Sequence, residues 1–331
     1  MDPVTHALTC VALDRAGLRR TSRHAMLILV ASGVAPDLDL LSYFGGGDLY
    51  LRWHDTVLHS ILGSAMVAIG VALAFWIPGR RNAKSPLRFR PVLALSAIGA
   101  ATHVFLDLAS TSGVQLLWPF HGKWFAWDLL SELDLWVLAS LLVGLLLPGL
   151  FRLVSEEIGA HKKTKAPSKM AMAALVVVAL YIGLRAEMHH AAVQALLARD
   201  YHGRFPLVAG AMPDATSPFS WRGIVDTSNT IETVDVGVGP EESLDPEASL
   251  THFKPDGTKA LDAARRSALA RRFLAYAQFP IADVEDLDSG HRVTLRDMRF
   301  PSQSDAAGNV VAIIELDQQY EVRDARIEFT Q

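Results

Sequence analysis

The stretch Ser60–Ile77 carries no charged side chain, closes on Pro78-Gly79, and is about long enough to cross the hydrocarbon core of a bilayer. Such a segment narrows the choice of folds. In lipid every backbone N–H and C=O needs an internal partner, which leaves packed helices or closed barrels. Three further candidates are Val92–Leu108, interrupted by His103 and Asp107; Leu135–Phe151, closed by Pro148-Gly149; and Met170–Leu184, bracketed by Lys169 and Arg185. Two shorter, more polar segments, Val4–Leu18 and Ala25–Leu41, read as membrane-embedded helices, with amphipathic surface helices as the alternative.

Composition then changes along the chain. Residues 1–185 are dominated by Leu, Ala, Val and Ile, whereas residues after about 200 are rich in Asp, Glu, Arg, Ser and Thr. Gly223–Val238, His291–Arg299 and Val310–Phe329 are rich in Val, Ile and Thr, with alternation that reads as strand. Ala260–Gln278 has helical spacing, and Leu244–Gly257 reads as a loop. The expected architecture is an α-helical membrane bundle of about six segments in residues 1–185, followed by a soluble α+β domain with an antiparallel sheet in residues 186–331. No basic stripe interleaved with aromatics occurs, so no nucleic-acid partner is expected. The single cysteine, Cys10, excludes an internal disulfide and a CxxC zinc site. Met1-Asp2-Pro3 lacks the basic start of a cleavable signal, so none is expected.

Charged loops orient the bundle. Arg15, Arg19, Arg20 and Arg23 form one basic group, Arg80, Arg81, Lys84, Arg88 and Arg90 a second, and Arg152, Lys162, Lys163 and Lys165 a third. The positive-inside rule places all three in the cytoplasm. Alternation then puts the opposite helix ends, with residues 186–331, outside. Those ends hold His6, Asp37, Asp39, His54, His59, His103 and Asp107. Ionisable groups at membrane depth are costly and mark function by default, and imidazoles with carboxylates are the ligand set of Zn²⁺ and related metals.

The candidates differ in geometry. His103 and Asp107, four apart on one helix, share a face. Asp37 and Asp39 flank Leu38 after Pro36, which disfavours helix at Ala35; Asp37 is the preferred ligand, with Asp39 a second ligand or a group behind the first. His54 and His59 are five residues apart, about 140° on a helix, so both reach one centre only if His54 precedes the helix, with Thr56 as its N-cap and His59 at N3. Asp55 is placed to orient an imidazole. Ser60 and Asp134 complete the polar residues near the site; Asp134 reads equally as a ligand, a supporting group or an exposed loop acid. Trp118, Trp124 and Trp127 read as interface anchors, and His189 and His190 as linker residues.

At these motifs the chain resembles a known family. Met1-Asp-Pro-Val-Thr-His6, Ala35-Pro-Asp-Leu-Asp39, His54-Asp-Thr-Val-Leu-His-Ser60, Thr102-His-Val-Phe-Leu-Asp107 and Thr111-Ser-Gly-Val-Gln-Leu-Leu-Trp-Pro119 look like the YdjM/YbcI-type membrane-bound metal-dependent hydrolases, also described as LexA-binding, inner-membrane-associated hydrolases. The resemblance covers about residues 1–150. Where the family has His-Arg-Gly-(Phe/Ile/Val)-Thr-His-Ser, this chain keeps both histidines and the serine but carries Asp55 for arginine, which removes a cation that would meet an anionic substrate group. The family is in turn similar to zinc-dependent phospholipase C and zinc nucleases. That resemblance implies His6, Asp37, His54, His59, His103 and Asp107 as ligands for one to three Zn²⁺, with Asp107 a bridging carboxylate, and a location in the bacterial inner membrane.

The resulting expectation is a membrane-bound hydrolase of a phosphoester in a lipid or lipid-linked substrate, using metal-activated water, with Asp37 or Asp39 as proton acceptor. A scaffold with a structural metal is one alternative; structural zinc is usually four-coordinate, and the candidates outnumber that. An ion transporter is another, for which ligands deep in the bilayer, away from segment ends, are expected. No His-Glu-x-x-His occurs, which argues against a metalloprotease.

Overall fold

In the computed structural model, residues 1–82, 85–157, 168–239, 243–300 and 310–329 are described. Lys84, Lys162, Lys163 and Lys165, counted in the basic loops above, lie outside the described residues. The chain forms two units: Met1–Leu38, Asp55–Phe120 and Phe125–Ala186 make the first, and Asp39–His54, His121–Trp124 and Glu187–Gln331 the second. The sequence reading had assigned residues 39–54 and 121–124 to the helical domain.

The helical unit begins with α1 (Pro3–Ala16), whose first turn is capped by Asp2, accepting from Thr5 N at 2.9 Å. Then α2 (Ala25–Val34) gives way to 3₁₀ turns over Ala35–Gly45, because Pro36 disfavours helix at the residue before it. A short helix, α3 (Gly47–Trp53), lies in the second unit. The long helices follow: α4 (Ile61–Gly79), α5 (Phe89–Ala109), α6 (Leu135–Glu157) and α7 (Lys169–Leu197).

Among the described residues four helical stretches are long and apolar enough to cross a membrane: Ala25–Gly45, Ile61–Gly79, Phe89–Ala109 and Lys169–Leu197, with Leu135–Leu150 a shorter apolar helix. About six segments were expected. The difference lies in Leu135–Leu150, shorter than the four, and in α1, whose 14 residues reach only about 21 Å at about 1.5 Å per residue, short of a hydrocarbon core of about 30 Å.

Small residues set the packing of this unit. Gly99 of α5 lies so close to α2 that a Cβ there would meet Ser32 Oγ and sit 2.6 Å from the Leu29 carbonyl. A Cβ on Gly33 would strike the Cys10 sulfur of α1. Without those carbons α1, α2 and α5 approach closely, as small residues allow between membrane helices. Around the crossing, Ile28, Leu29, Val92 and Leu95 are buried in one cluster with Cys10, which reads Cys10 as a packed residue. Leu141 and Leu145 of α6 join Ala171 and Val178 of α7 in another.

The second unit is antiparallel β with helices. A five-stranded sheet has the order β1 (Val208–Pro213), β2 (Ser220–Asp226), β3 (Thr230–Gly237), β4 (Ser243–Leu244), with β5 (Leu250–Phe253) also pairing with β3. Next come α8 (Lys259–Arg266) and α9 (Ala268–Tyr276). A four-stranded meander follows: β6 (Pro280–Leu287), β7 (Gly290–Asp297), β8 (Val310–Leu316) and β9 (Val322–Phe329). In β8 Val310, Ala312, Ile314 and Leu316 are buried and the intervening residues are not, the period of two that puts one face on the core. Those side chains share a core with Leu261 and Phe273 of the two helices and with Tyr50 and Leu51 of α3.

Candidate metal centre

Four segments of the helical unit bring ionisable side chains together. His6 comes from the second turn of α1, Asp37 from the 3₁₀ turns after α2, His59 from just before α4, and His103 and Asp107 from the last two turns of α5. His6, His59, His103 and Asp107 are each about 1 % exposed, and the Asp37 side chain is 9 % exposed.

The loop before α4 differs from the sequence expectation. Ser60, not Thr56, caps the helix, accepting from Gly63 N at 2.9 Å. Asp55 takes a left-handed φ of 57°, which turns the chain after α3. His59 therefore stands just outside α4, before its N-cap, and not at the third helical position.

His103 Nε2 is the hub. It lies 2.8 Å from His59 Nε2, 3.0 Å from Asp107 Oδ2 and 3.7 Å from Asp37 Oδ1. His59 Nε2 is 3.5 Å from Asp107 Oδ2 and 3.6 Å from Asp55 Oδ1. On the other carboxylate oxygen, His6 Nε2 is 3.1 Å from Asp107 Oδ1. Two overlapping groups, His6–Asp37–His103 and His59–His103–Asp107, each hold ligand atoms within 4.8 Å of one another.

The protonation of His103 follows from the fold. Its Nδ1 is 2.8 Å from the Gly33 carbonyl, an acceptor only, so Nδ1 carries a proton and Nε2 is the nitrogen placed to act as a ligand. That nitrogen faces a carboxylate oxygen and another imidazole nitrogen. Asp37 Oδ2 and His6 Nδ1 are buried and make no hydrogen bond, an arrangement that costs free energy unless a cation compensates. Zn²⁺ with ligand distances of about 2.0–2.2 Å separates tetrahedral ligand atoms by about 3.3–3.6 Å, close to the spacings found. The donor set fits a divalent metal, with the Gly33 carbonyl holding one ligand ring in place.

Two groups were not singled out as site residues in the sequence. The Met1 ammonium bonds Asp107 Oδ1 at 2.8 Å and Glu132 at 3.2 Å. Burial disfavours its charge, but Asp107 and Glu132 prevail and hold its pKa well above the ordinary N-terminal value. Glu132 also accepts from Ser112 N at 3.0 Å, so it fastens the start of α1 to the loop after α5. Neither has a sequence signature: an amine belongs to every chain start, and Glu132 stands in a run of loop acids.

The remaining candidates make contacts of their own. Asp39 and His54 fall in the second unit, where Asp39 Oδ1 and His54 Nδ1 are 3.0 Å apart. Asp134 caps α6, accepting from Trp136 N and Val137 N at 3.0 and 3.1 Å, and takes a bond from Tyr181 at 3.3 Å. Ser60 is the helix cap already described.

Comparison with known proteins adds a family. The chain is similar to a protein of Bacillus subtilis (strain 168) described as "Uncharacterized protein YfhP", 28% identical over 152 residues. The match covers 42% of this chain and 44% of that protein, so under half of the relative's length is spanned. No solved structure matches the chain. The model of the family described as YdjM inner membrane protein matches residues 1–192, which take in the whole His/Asp cluster and the apolar helices above except the last turn of α7, and the chain belongs to that family.

Proposed function

We propose that this protein is a membrane-bound, metal-dependent hydrolase, phospholipase C-like in chemistry, acting on a phosphoester of a lipid or lipid-linked substrate. The observation that carries the reading is the placement of His103 Nε2, held by the Gly33 carbonyl at Nδ1 and turned toward Asp107 and His59. His59, His103 and Asp107 would hold one ion, and His6 and Asp37 supply donors for a further one; Zn²⁺ suits this nitrogen and oxygen set. Such an ion, when bound, lowers the pKa of water and polarises a phosphoryl oxygen. Asp107, with both oxygens turned to imidazoles, positions the ligand rings. Asp37 is the least enclosed of the five, and its Oδ2 makes no hydrogen bond, so it is the group we assign as proton acceptor. Asp39, the other candidate, is engaged by His54. A multi-pass arrangement with the centre and residues 187–331 outside the cytoplasm is part of this reading and rests on the basic loops.

A structural metal would need about four ligands; four buried donors with the half-buried Asp37 beside them favour the catalytic reading. The test is metal analysis of the purified full chain with hydrolysis of a phospholipid and of a soluble phosphodiester. We expect at least one tightly held ion per chain, loss of that ion in His103→Ala and Asp107→Asn, and hydrolysis that chelation abolishes and metal restores. A metal-loaded protein inert toward both substrates would leave only the structural role.

A further inference from the structure

At the end of the helical unit away from the His/Asp cluster lies a cavity of about 590 Å³, within the range of about 300–1,000 Å³ used for small ligands. It opens between the start of α2 and the end of α4. The 19 residues of α4 put its two ends about 28 Å apart, so the cavity and the cluster stand at opposite ends of the same helices. We propose that this cavity is an anionic phospholipid site, separate from the metal centre and independent of the hydrolase reading.

Its walls are divided by chemistry. Arg23, Arg81 and Asn82 supply polar lining and Leu27, Ala74 and Phe75 apolar lining, and among the described residues no lining residue is acidic. Arg23 is steadied by His24, whose Nε2 accepts from Arg23 Nε at 3.0 Å. The neighbouring Arg19 is engaged instead by Asp14, at 3.3 Å, and Arg80 by the face of Trp76, at 4.7 Å. Among the described residues, Arg23 and Arg81 are the arginines that line this space. Planar guanidinium groups match the oxygen pairs of a phosphate, and the apolar lining takes the first methylenes of an acyl chain. A free phosphate would use the polar lining and leave the apolar lining wet. Basic pockets between membrane helices bind lipid headgroups by this division of labour.

The test uses the full chain in a neutral detergent, with bound lipid counted by native mass spectrometry. Short-chain phosphatidylglycerol is the probe, phosphatidylcholine the uncharged comparison, and inorganic phosphate the headgroup alone. We expect one phosphatidylglycerol retained per chain, with neither comparison held as tightly. Arg23→Gln with Arg81→Gln should weaken binding about thirtyfold, about fivefold for each arginine. Ala74→Trp, which fills the apolar part and keeps both charges, should weaken it at least tenfold. Arg19→Gln with Arg20→Gln removes equal charge outside the cavity and should change binding less than threefold. Equal retention of phosphatidylcholine, equal binding of inorganic phosphate, an unaffected Ala74→Trp protein, or an equal loss in the Arg19/Arg20 variant would each overturn the proposal. These side chains are exposed, and an unchanged melting temperature of each variant without lipid separates binding loss from misfolding.

Discussion

Gly99→Ala tests whether helix packing, and not ligand identity alone, builds the metal centre. An added Cβ would sit 2.6 Å from the Leu29 carbonyl, and reaching an ordinary contact of 3.4 Å requires α2 and α5 to part by about 0.8 Å. The obstacle is backbone, so side-chain rotation cannot relieve it. His103 is one turn further along α5, and its bond to the Gly33 carbonyl would lengthen from 2.8 Å to about 3.6 Å, beyond hydrogen-bonding range. Overpacking of this kind costs about 1–3 kcal/mol, and loss of a bond that orients a ligand ring weakens metal affinity about 10–100-fold. Affinity is read by competition with a chromogenic chelator, stability by thermal unfolding in the same detergent. Gly70→Ala is the control, since a Cβ there meets nothing within 4 Å; affinity and stability should stay at or above those of the parent. Parental metal affinity in Gly99→Ala would show that the Gly33 carbonyl does not position His103, and the argument from packing to site would fail.

Further outcomes follow from other parts of the molecule. With residues 187–331 outside the cytoplasm, a cysteine replacing exposed Ser228 should react with an impermeant thiol reagent on intact cells; reaction only after lysis would reverse the orientation. The Tyr201 phenol, pushed up to about 12 by burial, keeps its proton in the folded state where the unfolded chain, with an ordinary value of 10.0, has begun to release it. Its contribution to stability is complete below pH 10 and is lost as pH rises through about 12. Tyr201→Phe should remove that alkaline loss and cost about 1 kcal/mol at neutral pH, through the bond to the Leu196 carbonyl. Unfolding curves of the two proteins across alkaline pH check both statements.

Apolar length and alternation were enough to read the helical region and the antiparallel domain, because each element announces itself locally. In β8 a period of two separates buried Val310, Ala312, Ile314 and Leu316 from their neighbours, and no distant residue is needed to see it. The α1 segment misled because its composition resembles the others while its 14 residues fall short. Residues 39–54 misled for a different reason. Only tertiary contact puts Tyr50 and Leu51 in the core of the second unit, and nothing in their local pattern distinguishes that core from a membrane-facing one.

The same distinction explains the site. His6, Asp37, His59, His103 and Asp107 were legible as candidates because a charge at the end of an apolar segment is costly wherever it stands. Asp39 and His54 carried the same signal and were ranked with them. On 3₁₀ turns of about three residues, Asp37 and Asp39 are about 120° apart around the axis, and Asp39 pairs with His54. His54 ends α3, and the left-handed backbone at Asp55 starts the turn that leads to His59. The feature that decides the chemistry left no trace in the sequence at all. It is a backbone carbonyl, at Gly33, exposed to His103 by glycines whose role is to be absent from the space between helices. A search for ligand residues finds the candidate donors; which nitrogen of His103 faces Asp107 and His59 is set by how closely α2 and α5 approach.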